Sequence, residues 1–214
     1  MSCLYHAAPL QYLPHILKSQ ALYAKSVLAA QGIHPRASAV RRDRMLGLTD
    51  WVHLSLHPNT PLLRDKLAKG YPHALFVFER AAVLALPEVA LLPYNTKAWR
   101  TRSACQPVTD PGERAALLRC SEETDRYPSL EVLVRYGLGL EHLTQIAFVT
   151  ASEQQMVQQL LDALALPLPA PVVTDVSLLP VCDYQPTTIA AIAAYFEECR
   201  RAGTLSPPPP IPFD

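Results

Sequence analysis

Three stretches of the chain carry residue types from which a reactive site can be built. In Leu130-Glu131-Val132-Leu133-Val134 a carboxylate interrupts an otherwise apolar strand pattern. Alternation along a strand puts Glu131 on the face of Leu133 and opposite Val132 and Val134. Two readings stand side by side: a solvent-facing glutamate at a sheet edge, or an acid held rigidly toward a cleft, where its position would be fixed by the strand. The second stretch, Val40-Arg41-Arg42-Asp43-Arg44, concentrates guanidinium groups, whose planar forks match phosphate oxygens. Most such clusters are solvated surface, and Arg41 or Arg44 reads so. The third is Leu4-Tyr5-His6, a strand end whose imidazole either donates to sugar hydroxyls or sits half-buried as a packing histidine.

Several chemistries are excluded. The sequence has no Gly-rich phosphate loop, no His-Glu-x-x-His metal motif and no Gly-x-Ser-x-Gly elbow. The 7 glycines argue against a Rossmann site, so a dinucleotide ligand is expected to be held another way. The 5 cysteines are scattered without a Cys-x-x-Cys pair, which argues for isolated thiols and against a metal site. The 19 basic and 19 acidic residues exclude a strongly basic nucleic-acid coat and leave room for a local basic groove. No apolar run approaches the roughly 20 residues that cross a bilayer. The first residues lack a signal-peptide pattern, so a cytoplasmic location is expected.

The elements that must position these residues mix strands and helices without regular alternation, which predicts an α+β fold. Strands are expected at 3–7, 52–56, 73–79, 130–136 and 145–150, with an edge strand at 172–174. Helices are expected over 10–19, with Pro14 confined to the first turn; 60–68, capped by Thr60 with Pro61 at its first position; 113–125; 152–165, capped by Ser152; and 187–201. Residues 31–48 read as irregular, and 83–92 is ambiguous. One domain is expected over 1–202, in which 166–202 forms an extension, followed by a proline-rich tail at 203–214 that is extended or loose.

Taken in order, these stretches resemble the DarT family, bacterial toxins that ADP-ribosylate DNA. Leu4-Tyr5-His6-Ala-Ala-Pro-Leu-Gln-Tyr-Leu-Pro-His-Ile-Leu is similar to the family's N-terminal strand and helix, with Gln11-Tyr12 in place of its Asp-Asn. The segment 48–63 aligns without a gap on the family's Leu-His-Asp-Tyr-Val-Pro-Phe-Tyr-Phe-x-Pro-x-Ser-Pro-Met-Leu. Ser129-Leu130-Glu131-Val132-Leu133-Val134 looks like Gln-Ala-Glu-x-Leu-Val, whose glutamate is catalytic. The resemblance covers residues 3–165. It implies the ADP-ribosyltransferase fold, two small mixed sheets around a cleft holding NAD as co-substrate, and no metal. It also implies that His6 contacts the adenosine ribose, that Tyr12 and Ser55 lie at NAD-contacting positions, that Arg42 is the functional arginine and that Glu131 holds the nicotinamide ribose. A carboxylate there stabilises the positive charge that grows on the ribose as its bond to nicotinamide breaks.

Between the second motif and the glutamate the chain departs from the family's Phe-Thr-Asp-x-His element. It reads Leu91-Leu-Pro-Tyr94-Asn-Thr-Lys97-Ala-Trp99-Arg100-Thr-Arg102 instead, a basic and aromatic run suited equally to a flipped base with its flanking phosphates and to rim packing. Tyr94, Lys97, Trp99, Arg100 and Arg102 are therefore the expected nucleic-acid contacts, with DNA ahead of RNA. A toxin of this kind implies an antitoxin partner, often a macrodomain hydrolase.

Overall fold

The computed structural model describes residues 3–33, 37–102, 104–124, 126–175, 177–179 and 186–209; the side chains of 37–39 and Lys97 lie outside that description, as do Arg36, Asp125 and tail residues 210–214. In chain order the elements are β1 (Cys3–Pro9), α1 (Leu13–Ser19), β2 (Ala21–Tyr23), α2 (Lys25–Ala30), α3 (Ala37–Leu46), β3 (Trp51–Ser55), α4 (Pro61–Ala68), β4 (His73–Glu79), α5 (Arg80–Leu84) and β5 (Val89–Leu92). They continue with α6 (Pro111–Thr124), β6 (Glu131–Arg135), β7 (Gly137–Gly139), β8 (Leu143–Phe148), α7 (Ala151–Ala163), β9 (Val172–Thr174) and α8 (Pro186–Ala202). The class is α+β, as the mixed pattern predicts.

The chain forms two compact units. The first holds the residues up to Leu4, Leu22–Leu56 and Glu79–Gly139; the second holds Tyr5–Ala21, His57–Phe78 and the residues from Leu140 onward. In the first, β6 is flanked by antiparallel β3 and β5. The register sets Ser55 opposite Glu131, His53 opposite Leu133 and Trp51 opposite Arg135. Leu92 lies opposite Glu131 on the other side and Ala90 opposite Leu133. One face of this ladder carries the apolar cluster Leu46, Leu48, Ala90, Leu92, Cys105 and Leu133, with Trp51 and Trp99 packed against it. A two-stranded ladder of β2 and β7 completes the unit's strands. Gly137 allows this close approach, because a Cβ there would stand 3.3 Å from the Leu22 carbonyl and 3.0 Å from the Tyr23 ring.

In the second unit β8 pairs antiparallel with β4 and parallel with β9. β4 is buried over six of its seven residues, which is why its HALFVFE sequence lacks polar alternation. Leu63 and Leu67 of α4 pack on Leu75, Ala147, Val149 and Leu179. Thr60 accepts from the Leu63 amide and Pro61 opens α4, as its sequence predicts.

Four expectations change. Residues 37–46 are helical, not irregular: Asp43 and Leu46 are both buried while Arg41 and Arg44 point outward, so the arginines are simply the helix's wet side. The ambiguous 83–92 resolves into the end of α5 and the buried strand β5. The α7 cap is Thr150, not Ser152, because only Thr150 completes a box with Glu153: its hydroxyl accepts from the Glu153 amide while the Glu153 carboxylate accepts from the Thr150 amide. Helix 10–19 begins as a 3-10 turn at Leu10–Tyr12 and becomes α-helical at Leu13, which leaves Pro14 in the first turn.

Candidate active site

Glu131 opens β6, and its half-buried carboxylate is fixed from the neighbouring strand. His53 and Ser55 alternate onto the face that also holds Glu131. His53 Nδ1 stands 3.0 Å from Glu131 Oε2, so the imidazole N–H donates to the carboxylate. The other ring nitrogen, Nε2, faces Asp43 Oδ2 at 3.7 Å. Asp43 is buried within α3 and forms an ion pair with Lys25 at the start of α2. A line of alternating groups thus runs Lys25, Asp43, His53, Glu131 across the first unit. Cys105 lies beside it. Burial pushes its thiol above the ordinary value, and the negative charges of Glu131 and Asp43 push it further. Such a thiol stays protonated, in keeping with the isolated thiols read from the sequence.

Ser55 pairs with Glu131 across the β3–β6 ladder. Arg42 is half-buried on α3, and its Nη1 donates to the Trp99 carbonyl at 3.0 Å, which ties α3 to the 94–102 run. That run is itself ordered by side chains. Trp99 Nε1 donates to the Tyr94 carbonyl at 3.0 Å, and the Tyr94 ring meets Trp99 at 5.9 Å and Tyr127 at 5.5 Å. Tyr94, Arg100 and Arg102 are exposed, and Lys97 falls in a 3-10 turn, Thr96–Ala98. The Arg102 guanidinium lies against Gly47, whose φ of +75° is the left-handed conformation that favours glycine. Around it is an open cleft of about 430 Å³ lined by Leu46, Trp51, Arg102, Cys105, Gln106 and Thr109 among others.

His6 and Tyr12 belong to the second unit. His6 is half-buried in β1, and Tyr12 ends the 3-10 turn, where burial raises its phenol above the usual value. The residues that sequence reasoning missed are His53, Asp43 and Lys25. For His53 the signal was present: period-two alternation places it beside Ser55 on one face of β3. For Asp43 and Lys25 it was not, since their pairing depends on how α2 and α3 pack.

No protein-family model matches the chain, and no curated protein does. Solved structures do. DarT of Thermus sp. 2.9 in complex with ADP-ribosylated ssDNA is 16% identical with a TM-score of 0.62, over 83% of this chain and 95% of that one. The same protein in complex with NAD+ gives 17% and 0.59, over 81% and 96%. DarTG of Thermosipho africanus in complex with ADP-ribose gives 15% and 0.62, over 85% of this chain and 52% of its own length. The chain therefore has a DarT-like fold.

Proposed function

We propose that the chain is an NAD-dependent ADP-ribosyltransferase that modifies a nucleobase in DNA. The observation that carries this reading is the Glu131 carboxylate, half-buried at the head of β6, opposite Ser55 and hydrogen-bonded by His53, in a chain with the fold of proteins seen with NAD+ and with ADP-ribosylated ssDNA. A carboxylate so held stabilises positive charge on a ribose as the bond to nicotinamide breaks, and it accepts a hydrogen bond from a ribose hydroxyl. Ser55 supplies a hydroxyl beside it. His6 and Tyr12 contact the donor, and Arg42 binds its pyrophosphate or orients the acceptor. NAD is consumed as a co-substrate, and no metal is required.

The acceptor strand meets the 94–102 run. Tyr94 and Trp99 offer stacking faces, and Lys97, Arg100 and Arg102 offer cations for phosphates. Among the described residues no helix is long and apolar enough to cross a membrane. We place the protein in the cytoplasm, as the toxin of a toxin–antitoxin or phage-defence pair whose partner is a macrodomain antitoxin. Incubation of the protein with labelled NAD and separate DNA, RNA and protein pools tests the assignment. Label is expected in DNA. Label only in RNA or protein would move the acceptor, free nicotinamide without label transfer would mean hydrolysis, and absence of turnover would leave a binding module of the same fold.

A further inference from the structure

The imidazole of His53 lies between two carboxylates of the first unit. Nδ1 is 3.0 Å from Glu131 Oε2, and Nε2 is 3.7 Å from Asp43 Oδ2. These two acids differ in setting. Asp43 is 3% exposed and neutralised by Lys25, whereas the Glu131 side chain keeps 18% of its surface in contact with solvent. Asp43 thus acts as an internal anchor and Glu131 as the end that can meet a ligand. Each carboxylate addresses a different nitrogen, and among the described residues no group of three or more His, Cys, Asp or Glu side chains is placed to hold a metal ion.

We propose that His53 is the positioning residue of Glu131. Asp43, held by Lys25, faces the far edge of the imidazole at 3.7 Å, beyond hydrogen-bond distance. The imidazole donates its Nδ1 proton to Oε2, which fixes the rotamer of the carboxylate and leaves Oε1 to address the ligand. The contact of His53 with Glu131 is a hydrogen bond from an imidazole N–H to a carboxylate oxygen. This deepens the transferase reading and rests on it for the activity that His53 supports. The hydrogen bond itself does not depend on that reading.

Two substitutions separate position from bulk. His53→Asn can place an amide N–H where Nδ1 stands, and His53→Phe keeps the ring volume without a donor. With NAD as substrate, His53→Phe is expected to lower kcat about 10- to 100-fold, as loss of positioning does, with KM changed no more than about threefold. His53→Asn is expected to restore kcat to within about threefold of the wild type. Equal turnover by Phe and Asn variants, or a wild-type kcat for His53→Phe, would overturn the proposal. If His53→Phe does not fold, His53→Gln serves in its place, since its longer amide reaches the Nε2 position and not Nδ1. If the wild-type protein itself shows no NAD turnover, the transferase reading fails. Nitrogen NMR of the His53 ring then decides: Glu131→Gln must shift the Nδ1 resonance, and an unmoved resonance would overturn the proposal on its own.

Discussion

The two units each place a histidine in a sheet strand, and they treat it in opposite ways. His53 of β3 lies between two carboxylates, and both ring nitrogens face an acid. His73 of β4 is completely buried and has a backbone carbonyl for company: its Nδ1 donates to Tyr71 at 2.8 Å, while its Nε2 has no hydrogen-bond partner among the described residues. Burial, aided by the nearby Lys66 charge, pushes His73 down to about 3. The same side chain is a polar connector in one unit and a neutral packing element in the other. What separates them is the neighbour each ring nitrogen meets: carboxylates beside His53, a backbone carbonyl beside His73.

The largest effect that would break this contrast is expected at Glu131. Glu131→Gln keeps the shape of the side chain and the contact with His53 while removing the charge, so turnover of NAD should fall by at least about 100-fold with the fold intact. Nicotinamide release, measured beside a circular dichroism spectrum, checks it. His73 sharpens the other side. Its folded value of about 3 lies below the ordinary 6.5 expected of the unfolded chain, so between those values the unfolded state binds a proton that the folded state refuses. Its contribution is whole above about pH 6.5 and declines as pH falls toward 3, a loss on the order of 2 kcal/mol by about pH 5. Urea denaturation of the wild type and of His73→Gln at neutral and acidic pH should show a shallower pH dependence in the variant.

Arg42→Ala removes the donor to the Trp99 carbonyl and is expected to lower transfer to the acceptor or use of NAD about tenfold, the scale of one charged hydrogen bond. Steady-state kinetics that vary NAD and DNA separately would tell which, and unchanged kinetics in both would remove Arg42 from the site. The smallest effect is confined to the second unit. Thr150→Ala opens the α7 capping box and should cost about 1 kcal/mol of stability without changing kcat. Thermal unfolding and turnover measured on one preparation check both halves of that expectation.

The parts of the fold that were legible in the sequence are those where local pattern and tertiary role agree. β4 announces itself through HALFVFE, and α4 through Thr60-Pro61. Glu131 stood out because a charge in an apolar strand demands a reason. Helix α3 was hidden because its arginines, Arg41, Arg42 and Arg44, mask the spacing of its buried Asp43 and Leu46, and a buried aspartate reads as polar surface until its lysine is known. The short β2 and β7 were unreadable for a related reason: three residues each hold too little pattern, and their pairing depends on Gly137 letting the backbones approach. At α7, Ser152 and Thr150 are equally good hydroxyl caps in isolation, and the choice falls to the position of Glu153.

A crystal structure of the protein with carba-NAD+ would address the role of Glu131 most directly. The expected result is a Glu131 carboxylate oxygen within hydrogen-bonding distance of the hydroxyls on the ring that bears nicotinamide, with His53 Nδ1 still on Oε2. A dinucleotide bound elsewhere, or a Glu131 side chain turned away from that ring, would contradict the account.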